Sequence, residues 1–318
     1  MMHSLNALLN QQGFVVLDGG LATELEARGE NLNDPLWSAR VLLEAPEKIA
    51  QLNYDYLVAG ADIATTASYQ ATIPGLMARG LSASAAESII RKSVTIALEA
   101  RDRFWADVHP GRLRPLVAAS IGPYGAYLHD GSEYRGDYNL TAHELKDFHR
   151  DRLAILTASG ADLIACESFP SLLEAEAVAE LLADLTDARA WMSFTCRDGL
   201  HLSDRTLFSD AVVKLSQSPS ILATGINCTA PHFISDLLRS AKSSKPLLAY
   251  PNSGECFDPK TGGWGDNSEE ESIARSAVEW HDLGAVLIGG CCRTTPRTIA
   301  AIRRALLSSE VKEKILRS

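Results

Sequence analysis

The feature that most restricts the fold of this chain is a regular alternation of short apolar segments with longer segments of helical character. The apolar segments are rich in Val, Ile, Leu, Ala and Thr, which is typical of strands buried on both faces of a parallel sheet. Eight strands alternating with helices over about 300 residues predict an α/β protein, and within that class a (β/α)8 barrel of the TIM type. The eight predicted strands are 14–17, 62–68, 115–121, 162–166, 190–195, 222–227, 247–251 and 285–288.

Proline, glycine and capping residues in the sequence predict where several helices begin and end. Pro46 occupies a first helical position and Gly60 provides a stop, while Thr141 with Glu144 forms a capping box. An open doubly wound sheet is the rival architecture, but no Gly-x-Gly-x-x-Gly turn follows any predicted strand. Because no linker or low-complexity tract divides the chain, we interpret residues 1–318 as a single domain.

The charge balance argues against several classes of function. Asp and Glu number 40 against 30 Lys and Arg, and the formal charge of −10 argues against nucleic-acid binding. The apolar runs fall far short of the roughly 20 residues that cross a bilayer, so we expect no membrane partner. Residues 1–12 contain no Lys or Arg and do not resemble a secretory signal, so the expected compartment is the cytoplasm. The six Cys are then expected to be reduced thiols.

Three cysteines follow predicted strands at the end of the barrel where active sites lie. Cys228 follows the sixth strand, and Cys291 and Cys292 follow the eighth. Three thiolates suit Zn²⁺ and leave a fourth coordination position open for a substrate. Adjacent strand residues point to opposite faces, so both Cys291 and Cys292 reach one metal only if the chain bends, which Gly289 and Gly290 make easy. We predict a metal site at these residues.

Other interpretations of the cysteines and glycines stay open at this point. Free cysteines are often small buried apolar residues, and we favour that interpretation for Cys166, Cys196 and Cys256. The Gly289-Gly290 pair is also compatible with a phosphate cradle, since barrels often bind phosphate after their seventh and eighth strands. A vicinal disulfide switch at residues 291–292 is a third alternative.

Two carboxylates and a glycine pair mark the ends of the first and fourth strands. Asp18 is followed by Gly19 and Gly20 at the start of a helix, where backbone N–H groups favour a carboxylate ligand. Asp18 and Glu167 are placed to receive an ammonium group, so this set predicts a site for an amino acid. A helix cap for Asp18 and a solvated loop position for Glu167 are the alternatives.

Histidine and lysine offer little as catalytic residues. His129 follows the third strand and could line the barrel mouth, whereas four other histidines fall in predicted helices and are interpreted as solvated surface. These four are His143, His149, His232 and His281. No Lys lies at the C-terminal end of a predicted strand, which argues against a Schiff-base enzyme. We therefore predict no catalytic residue beyond the metal site.

The candidate residues lie in segments that resemble the homocysteine S-methyltransferase family, most closely its S-methylmethionine-using branch. The combination of GINC with GGCC is the specific part of the resemblance, and the matching segments are spread over nearly the whole chain. They are LDGGLATELEARG from Leu17, PLWSA from Pro35, TTASYQA from Thr65, ASIGPYGAYLHDGSEYRGDY from Ala119, GINC from Gly225, YPNSGE from Tyr250 and GGCC from Gly289.

This resemblance implies a zinc-containing (β/α)8 barrel that makes methionine from homocysteine. It implies that Cys228, Cys291 and Cys292 bind zinc, and that Asp18 and Glu167 hold the amino-acid part of homocysteine. Only residues 293–318 follow the last cysteine, so we expect no cobalamin module, and the sequence has no Rossmann motif. The implied methyl donor is a small sulfonium, S-methylmethionine, with S-adenosylmethionine as a poorer substitute.

The expected chemistry needs a deprotonated thiol and a place for a cationic donor. A free thiol has a pKa near roughly 8.5, and zinc binding removes its proton at neutral pH. We expect the donor's positive charge to lie against Trp37, Tyr69 or Tyr124 through cation–π contact, with core packing as the alternative.

Three further alternatives remain open for the function. They are a different thiol or selenol acceptor such as selenocysteine, a different donor such as betaine, and a non-catalytic zinc-binding or redox-sensing barrel. In every case the expected partners are small molecules, and the lack of an obvious dimerisation arm favours a monomer.

Overall fold

The computed structural model describes residues 4–32, 38–108, 111–254, 257–258, 263–264 and 270–317. The strands within these ranges are β1 (Val15–Val16), β2 (Ile63–Thr65), β3 (Leu116–Ile121), β4 (Leu163–Phe169), β5 (Ala190–Phe194), β6 (Ile221–Asn227), β7 (Leu247–Tyr250), β8 (Phe257–Asp258), β9 (Gly263–Trp264) and β10 (Ala285–Ile288). β8 and β9 form a separate antiparallel pair, and the other eight strands form one parallel sheet.

The parallel sheet closes on itself. Its strands follow the order β1-β10-β7-β6-β5-β4-β3-β2. A parallel bridge between Leu17 and Ile63 joins the two end strands, and the N–H of Asp62 donates to the carbonyl of Val16 at 2.6 Å. Closure of eight parallel strands with flanking helices confirms the predicted (β/α)8 barrel.

The helices lie between and around the strands. They are α1 (Leu5–Gln12), α2 (Leu21–Ala27), α3 (Ser38–Glu44), α4 (Pro46–Ala59), α5 (Ile73–Ala78), α6 (Ala83–Val108), α7 (Tyr124–Leu128), α8 (Ala142–Thr157), α9 (Leu172–Asp184), α10 (Phe208–Ser216), α11 (Pro231–Ser240), α12 (Glu270–Asp282) and α13 (Pro296–Arg317). The local signals act as expected: Gly60 ends α4 with φ 119°, and Thr141 and Glu144 form both hydrogen bonds of the capping box.

Successive residues of each strand divide between two apolar layers, because side chains alternate across a sheet. In β3, Leu116 and Ala118 face the barrel interior, whereas Ala119 and Ile121 pack with residues of the surrounding helices. Leu5 and Leu8 of α1 belong to the interior layer, so α1 covers the end of the barrel where the strands begin. The other end, where the strands finish, is left for polar loops.

β4 runs longer than the sequence pattern predicts, because it continues through Glu167 to Phe169. Its pairing with β5 shifts register between Cys166 and Phe169, and Ser168 has φ 65°. This is the signature of a local bulge, which re-aims side chains at the end of a strand. Among the described residues, no helix has the length and apolar character needed to span a membrane.

Candidate metal centre and substrate cavity

A cavity of about 710 Å³ opens among the loops that follow the strands. This volume is in the range of small-molecule sites, roughly 300–1,000 Å³. Its described lining includes four carboxylates, Asp18, Glu26, Glu133 and Glu167, against two basic side chains, His129 and Arg293. The cavity is therefore acidic, and it suits ligands that carry positive charge.

Three thiols meet in this cavity. The sulfurs of Cys228, Cys291 and Cys292 all lie within 4.8 Å of one another, and the Cys228 and Cys292 sulfurs are 3.7 Å apart. Cys228 follows β6 directly and has φ 47°, a left-handed conformation that turns its side chain out of the strand's alternation. The other two cysteines follow β10 after two glycines.

The glycines before the vicinal cysteines supply space, and the left-handed turn of the chain comes directly after the cysteine pair. Neither glycine adopts a positive φ, whereas Arg293, just after the pair, has φ 62°. A Cβ on Gly290 would lie 2.3 Å from the Thr294 hydroxyl, and one on Gly289 would lie 2.6 Å from Cβ of Leu17. Because β10 ends at Ile288, the strand alternation no longer governs residues 291 and 292.

The neighbours of the thiol cluster favour negative charge on one sulfur. Hydrogen bonds from Cys291 and Cys292 lower the pKa of the Cys228 thiol well below its usual value, and the same contacts raise the pKa of the other two. The Tyr134 hydroxyl lies 3.5 Å from the Cys228 sulfur, and the side-chain amide of Asn227 lies 3.8 Å from the Cys291 sulfur. These donors suit a cluster that holds one shared thiolate.

The cluster also fits a soft metal ion. Tetrahedral coordination with metal–sulfur bonds of about 2.3 Å places sulfurs about 3.8 Å apart, close to the separation of the Cys228 and Cys292 sulfurs. Cys166 and Cys196 lie outside the cluster. Cys166 is fully buried and packs in the layer between sheet and helices, as a small apolar residue does. Cys256 lies outside the described residues.

Asp18 lies on the β1–β2 side of the cavity and is buried, with 5% of its surface exposed. Its carboxylate accepts hydrogen bonds from the Thr65 N–H at 2.6 Å and from the Thr65 hydroxyl at 2.9 Å. Burial outweighs these bonds and raises the pKa of Asp18 to about 7. Asp18 does not cap α2, because that helix begins after Gly20 without a side-chain cap.

Glu167 lies on the β4 side of the same cavity, within the bulged end of the strand. It accepts hydrogen bonds from the Ser120 hydroxyl and, at 3.2 Å, from the Tyr250 hydroxyl. Burial and the nearby Asp18 raise the pKa of Glu167 to about 7. The solvated loop position considered for this residue is wrong, since Glu167 lies within strand β4 and lines the cavity. Two carboxylates of raised pKa in one cavity, Asp18 buried and Glu167 half-buried, are typical of a functional site.

Gly19 and Gly20 let the β1 loop pack closely against the loop that carries the cysteines. A Cβ on Gly19 would lie 2.8 Å from the Thr294 hydroxyl, and one on Gly20 would lie 2.6 Å from the Cys291 carbonyl oxygen. The N–H of Gly20 already donates to the Thr294 hydroxyl at 3.2 Å. The predicted binding site for a substrate carboxylate would thus depend on the N–H groups of Gly19 and Leu21.

The three aromatic residues expected near the donor have different positions. Tyr69 lines the cavity, and its ring lies against Gly122, where a Cβ would be 2.7 Å away. Tyr124 is not brought to the cavity, because its ring packs edge-on against Phe148 and Tyr138. Trp37 lies outside the described residues.

The interpretation of His149 as solvated surface is wrong. It is fully buried in α8, with Nε2 2.8 Å from the Glu174 carboxylate, and burial lowers its pKa. Arg152, one turn further on, donates to the backbone carbonyls of Tyr69 at 3.1 Å and Gly122 at 2.6 Å. Arg152 therefore connects α8 to the loops after β2 and β3, and its hydrogen bond to the Tyr69 carbonyl fixes the backbone that carries the Tyr69 ring.

Sequence reasoning missed Glu133, Tyr134 and Asn227, which the fold brings to the cavity or the thiols. Each lies inside a segment that carries the family resemblance. Glu133 lies in a charged segment and Asn227 directly precedes Cys228, but the local sequence does not show which of these side chains the fold brings together.

The fold and the site together define the class of protein. A TIM-type barrel with a small-molecule cavity at the strand C-termini, lined by clustered thiols and buried carboxylates, is an enzyme architecture. The model of the homocysteine S-methyltransferase family matches residues 15–306.

The chain is 50% identical over 305 residues to the homocysteine S-methyltransferase YbgG of Bacillus subtilis, covering 95% of this chain and 97% of that one. It is 47% identical over 321 residues to the selenocysteine Se-methyltransferase of Brassica oleracea, covering 96% and 93%. The metallated form of the Escherichia coli homocysteine methyltransferase MmuM has a TM-score of 0.85 and 48% identity, covering 94% and 99%.

The chain therefore belongs to the homocysteine S-methyltransferase family, and it is a methyltransferase.

Proposed function

We propose that this enzyme transfers a methyl group from S-methylmethionine to the thiol of homocysteine, giving methionine, with zinc held by Cys228, Cys291 and Cys292. The observation that carries the proposal is the meeting of three sulfurs within 4.8 Å in a cavity that is also lined by the carboxylates of Asp18 and Glu167. The thiols provide a soft metal site, and the carboxylates provide a site for an ammonium group.

The donor set supports zinc as the metal. Thiolate ligands select zinc among the divalent ions commonly available, and three protein ligands leave one position for a substrate sulfur. When bound, Zn²⁺ lowers the pKa of a thiol, so that the thiol is a nucleophile at neutral pH without a general base.

The transfer step is a displacement between two sulfurs. The homocysteine sulfur attacks the donor methyl carbon and forms a new carbon–sulfur bond, while the thiol proton goes to solvent. The donor's bond between sulfur and methyl breaks, and its electron pair stays on the donor sulfur, which becomes a neutral thioether. Because this leaving group needs no proton, the protein's tasks are to align the two sulfurs and to exclude water.

Asp18 and Glu167 are proposed to receive the ammonium group of homocysteine. Burial raises the pKa of both carboxyl groups to about 7, so ionising the two together is disfavoured. A bound ammonium group supplies the missing positive charge and returns both groups to the ionised form. The N–H groups of Gly19 and Leu21 are the proposed partners of the substrate carboxylate. Tyr69 lines the cavity, and it is proposed to contact the cationic donor.

A second acceptor is supported by one of the comparisons. The relative from Brassica oleracea is a selenocysteine Se-methyltransferase. A selenol ionises more readily than a thiol and would use the same cavity, so selenocysteine is the alternative acceptor. S-adenosylmethionine is proposed as a poorer donor.

The test is methionine formation by the purified enzyme from homocysteine with S-methylmethionine, S-adenosylmethionine or betaine, with and without a chelator. We expect S-methylmethionine to be used best, and we expect zinc analysis to find one ion per chain. Preference for betaine, or full turnover by enzyme shown to be free of metal, would contradict the proposal.

We also propose that residues 1–318 act as one domain and as a monomer in the cytoplasm. The eight parallel strands, from β1 to β10, form one closed sheet, which supports a single domain. Gel filtration with light scattering tests the monomer.

A further inference from the structure

Glu133 enters the cavity from a different side than the two carboxylates assigned to homocysteine. It lies in a single helical turn, Ser132–Tyr134, in the loop after β3. Its carbonyl accepts a hydrogen bond from the Thr195 hydroxyl at the end of β5, at 3.1 Å. The next residue, Tyr134, reaches the Cys228 sulfur after β6. Glu133 is therefore fixed on the β5–β6 side of the thiols, whereas Asp18 is held by Thr65 on the β1–β2 side.

Glu133 is half-buried, and one oxygen of its carboxylate is enclosed without a matching cation. Its Oε2 is buried and has no hydrogen-bond partner, and burial raises its pKa. The nearby Arg135 is engaged with Asp137 at 3.2 Å and with Asp130 at 3.9 Å. A buried carboxylate oxygen without a partner costs free energy, and such a cost is commonly met at a ligand site.

Two neutral acceptors of the cavity wall share this property. Gln70 is 8% exposed, and its Oε1 has no partner because the amide nitrogen is the atom that binds the Ala126 carbonyl, at 3.2 Å. Asn252 hydrogen-bonds to Cys228, and its Oδ1 is also buried without a partner. Both residues line the same cavity as Glu133. Acceptor oxygens of this kind suit a ligand with N–H donors, and an ammonium group has three of them.

The reaction itself requires a second ammonium site. In-line transfer places the donor sulfur and the acceptor sulfur on opposite sides of the moving methyl group. The two amino acids therefore cannot share the pair Asp18 and Glu167, which lie close enough for Asp18 to raise the pKa of Glu167. Of the other described cavity carboxylates, Glu26 is exposed, whereas Glu133 is half-buried and its Oε2 is enclosed.

We propose that Glu133 receives the α-ammonium group of the methyl donor, with the side-chain oxygens of Gln70 and Asn252 as further acceptors. This inference rests on the proposed function, because it takes the donor to be an amino acid that carries a sulfonium. Its consequence is specificity: a sulfonium donor without an ammonium group lacks the partner of Glu133 and is a poorer substrate.

The test compares S-methylmethionine with dimethylsulfoniopropionate, which keeps the sulfonium and the carboxylate but lacks the carbon that bears the amine. Both are assayed with saturating homocysteine in the metal-loaded wild type, in Glu133→Gln, and in Glu26→Gln as a matched control that removes a carboxylate from the exposed part of the wall. Calorimetry measures S-methylmethionine binding directly, and metal analysis accompanies each protein.

We expect Glu133→Gln to lower kcat/KM for S-methylmethionine roughly ten- to a hundredfold, the value of a charge-assisted hydrogen bond. Its kcat/KM for dimethylsulfoniopropionate, its KM for homocysteine and its metal content should stay within about threefold of wild type. Glu26→Gln should change kcat/KM for the two donors by the same factor.

Three outcomes would overturn the assignment, and they can be told apart. In the first outcome, wild type uses S-methylmethionine, but Glu133→Gln lowers kcat/KM by the same factor for both donors. Glu133 then does not bind the ammonium group, while the proposed function stands. If KM for homocysteine rises instead, Glu133 belongs to the acceptor site. If wild type makes no methionine from S-methylmethionine, the proposed donor is wrong and the assignment of Glu133 fails with it.

Discussion

Asn227 holds Ser168 by two hydrogen bonds, each 2.7 Å long. Its Oδ1 accepts from the backbone N–H of Ser168, and its Nδ2 donates to the Ser168 hydroxyl. Ser168 follows Glu167 in a left-handed conformation with φ 65°, which costs free energy for a residue with a Cβ. Nδ2 also lies 3.8 Å from the Cys291 sulfur. The buried side chain of Asn227 therefore connects the end of β4, which carries Glu167, to the thiols.

Replacing Asn227 by Ala is expected to weaken metal binding roughly tenfold or more, because groups that support metal ligands typically contribute this much. The measurement is competition with a chromogenic chelator, together with the thiolate absorption of the cobalt-loaded protein. Ser168→Ala is the control, since it removes only the hydroxyl and leaves the amide near Cys291. Equal metal affinity in Asn227→Ala and wild type would show that the amide does not support the cluster.

Replacing Cys292 by Ala is expected to remove stoichiometric metal and to abolish methyl transfer while the barrel stays folded. The side chain is at the barrel mouth, away from the apolar layers, so circular dichroism and the unfolding midpoint should change little. Cys196→Ala is the matched control, because Cys196 is a free thiol outside the cluster. Retention of one zinc per chain by Cys292→Ala would contradict the assignment of this ligand.

Stability is expected to fall with rising pH because of Asp18. Its pKa in the folded protein is about 7 against 3.8 for the ordinary side chain, so the folded state binds the proton more tightly than the unfolded state. The stabilisation is complete below about pH 4 and is lost as the pH rises through about 7, with an upper bound of about 4 kcal/mol.

Asp18→Asn keeps a neutral acceptor for Thr65 and should flatten this dependence. The measurement is urea unfolding of the metal-free protein at pH 5 and pH 8, with the difference in unfolding free energy compared between variant and wild type. An Asp18→Asn protein with the same difference as wild type would show that Asp18 is not the responsible group.

Arg152→Met is expected to destabilise the protein by about 3–5 kcal/mol, because it leaves the buried Glu174 without its nearby positive charge. Arg152 also donates to the carbonyls of Tyr69 and Gly122, which would lose their partner. The control is Arg150→Met on the same helix, where the side chain is 53% exposed and a change within about 0.5 kcal/mol is expected. Chemical unfolding measures both, and equal effects of the two substitutions would contradict the role given to Arg152.

The sequence by itself determined the alternation of strands and helices, since the apolar runs, the proline at the start of α4 and the capping box of α8 are local signals. It also indicated that Asp18, Cys228, Cys291 and Cys292 gather at one end, because all parallel strands of a barrel finish at the same mouth. These inferences needed only the order of elements along the chain.

Only the tertiary structure decided which side chains meet and in what environment. The burial of His149, the turn of Tyr124 into an aromatic cluster, and the approach of Tyr134 to Cys228 depend on contacts between residues far apart in the chain. The raised pKa values of Asp18 and Glu167 have the same origin, because desolvation is a property of the surrounding atoms and not of the residue type. Local sequence specifies the elements, and the packing between them specifies the chemistry.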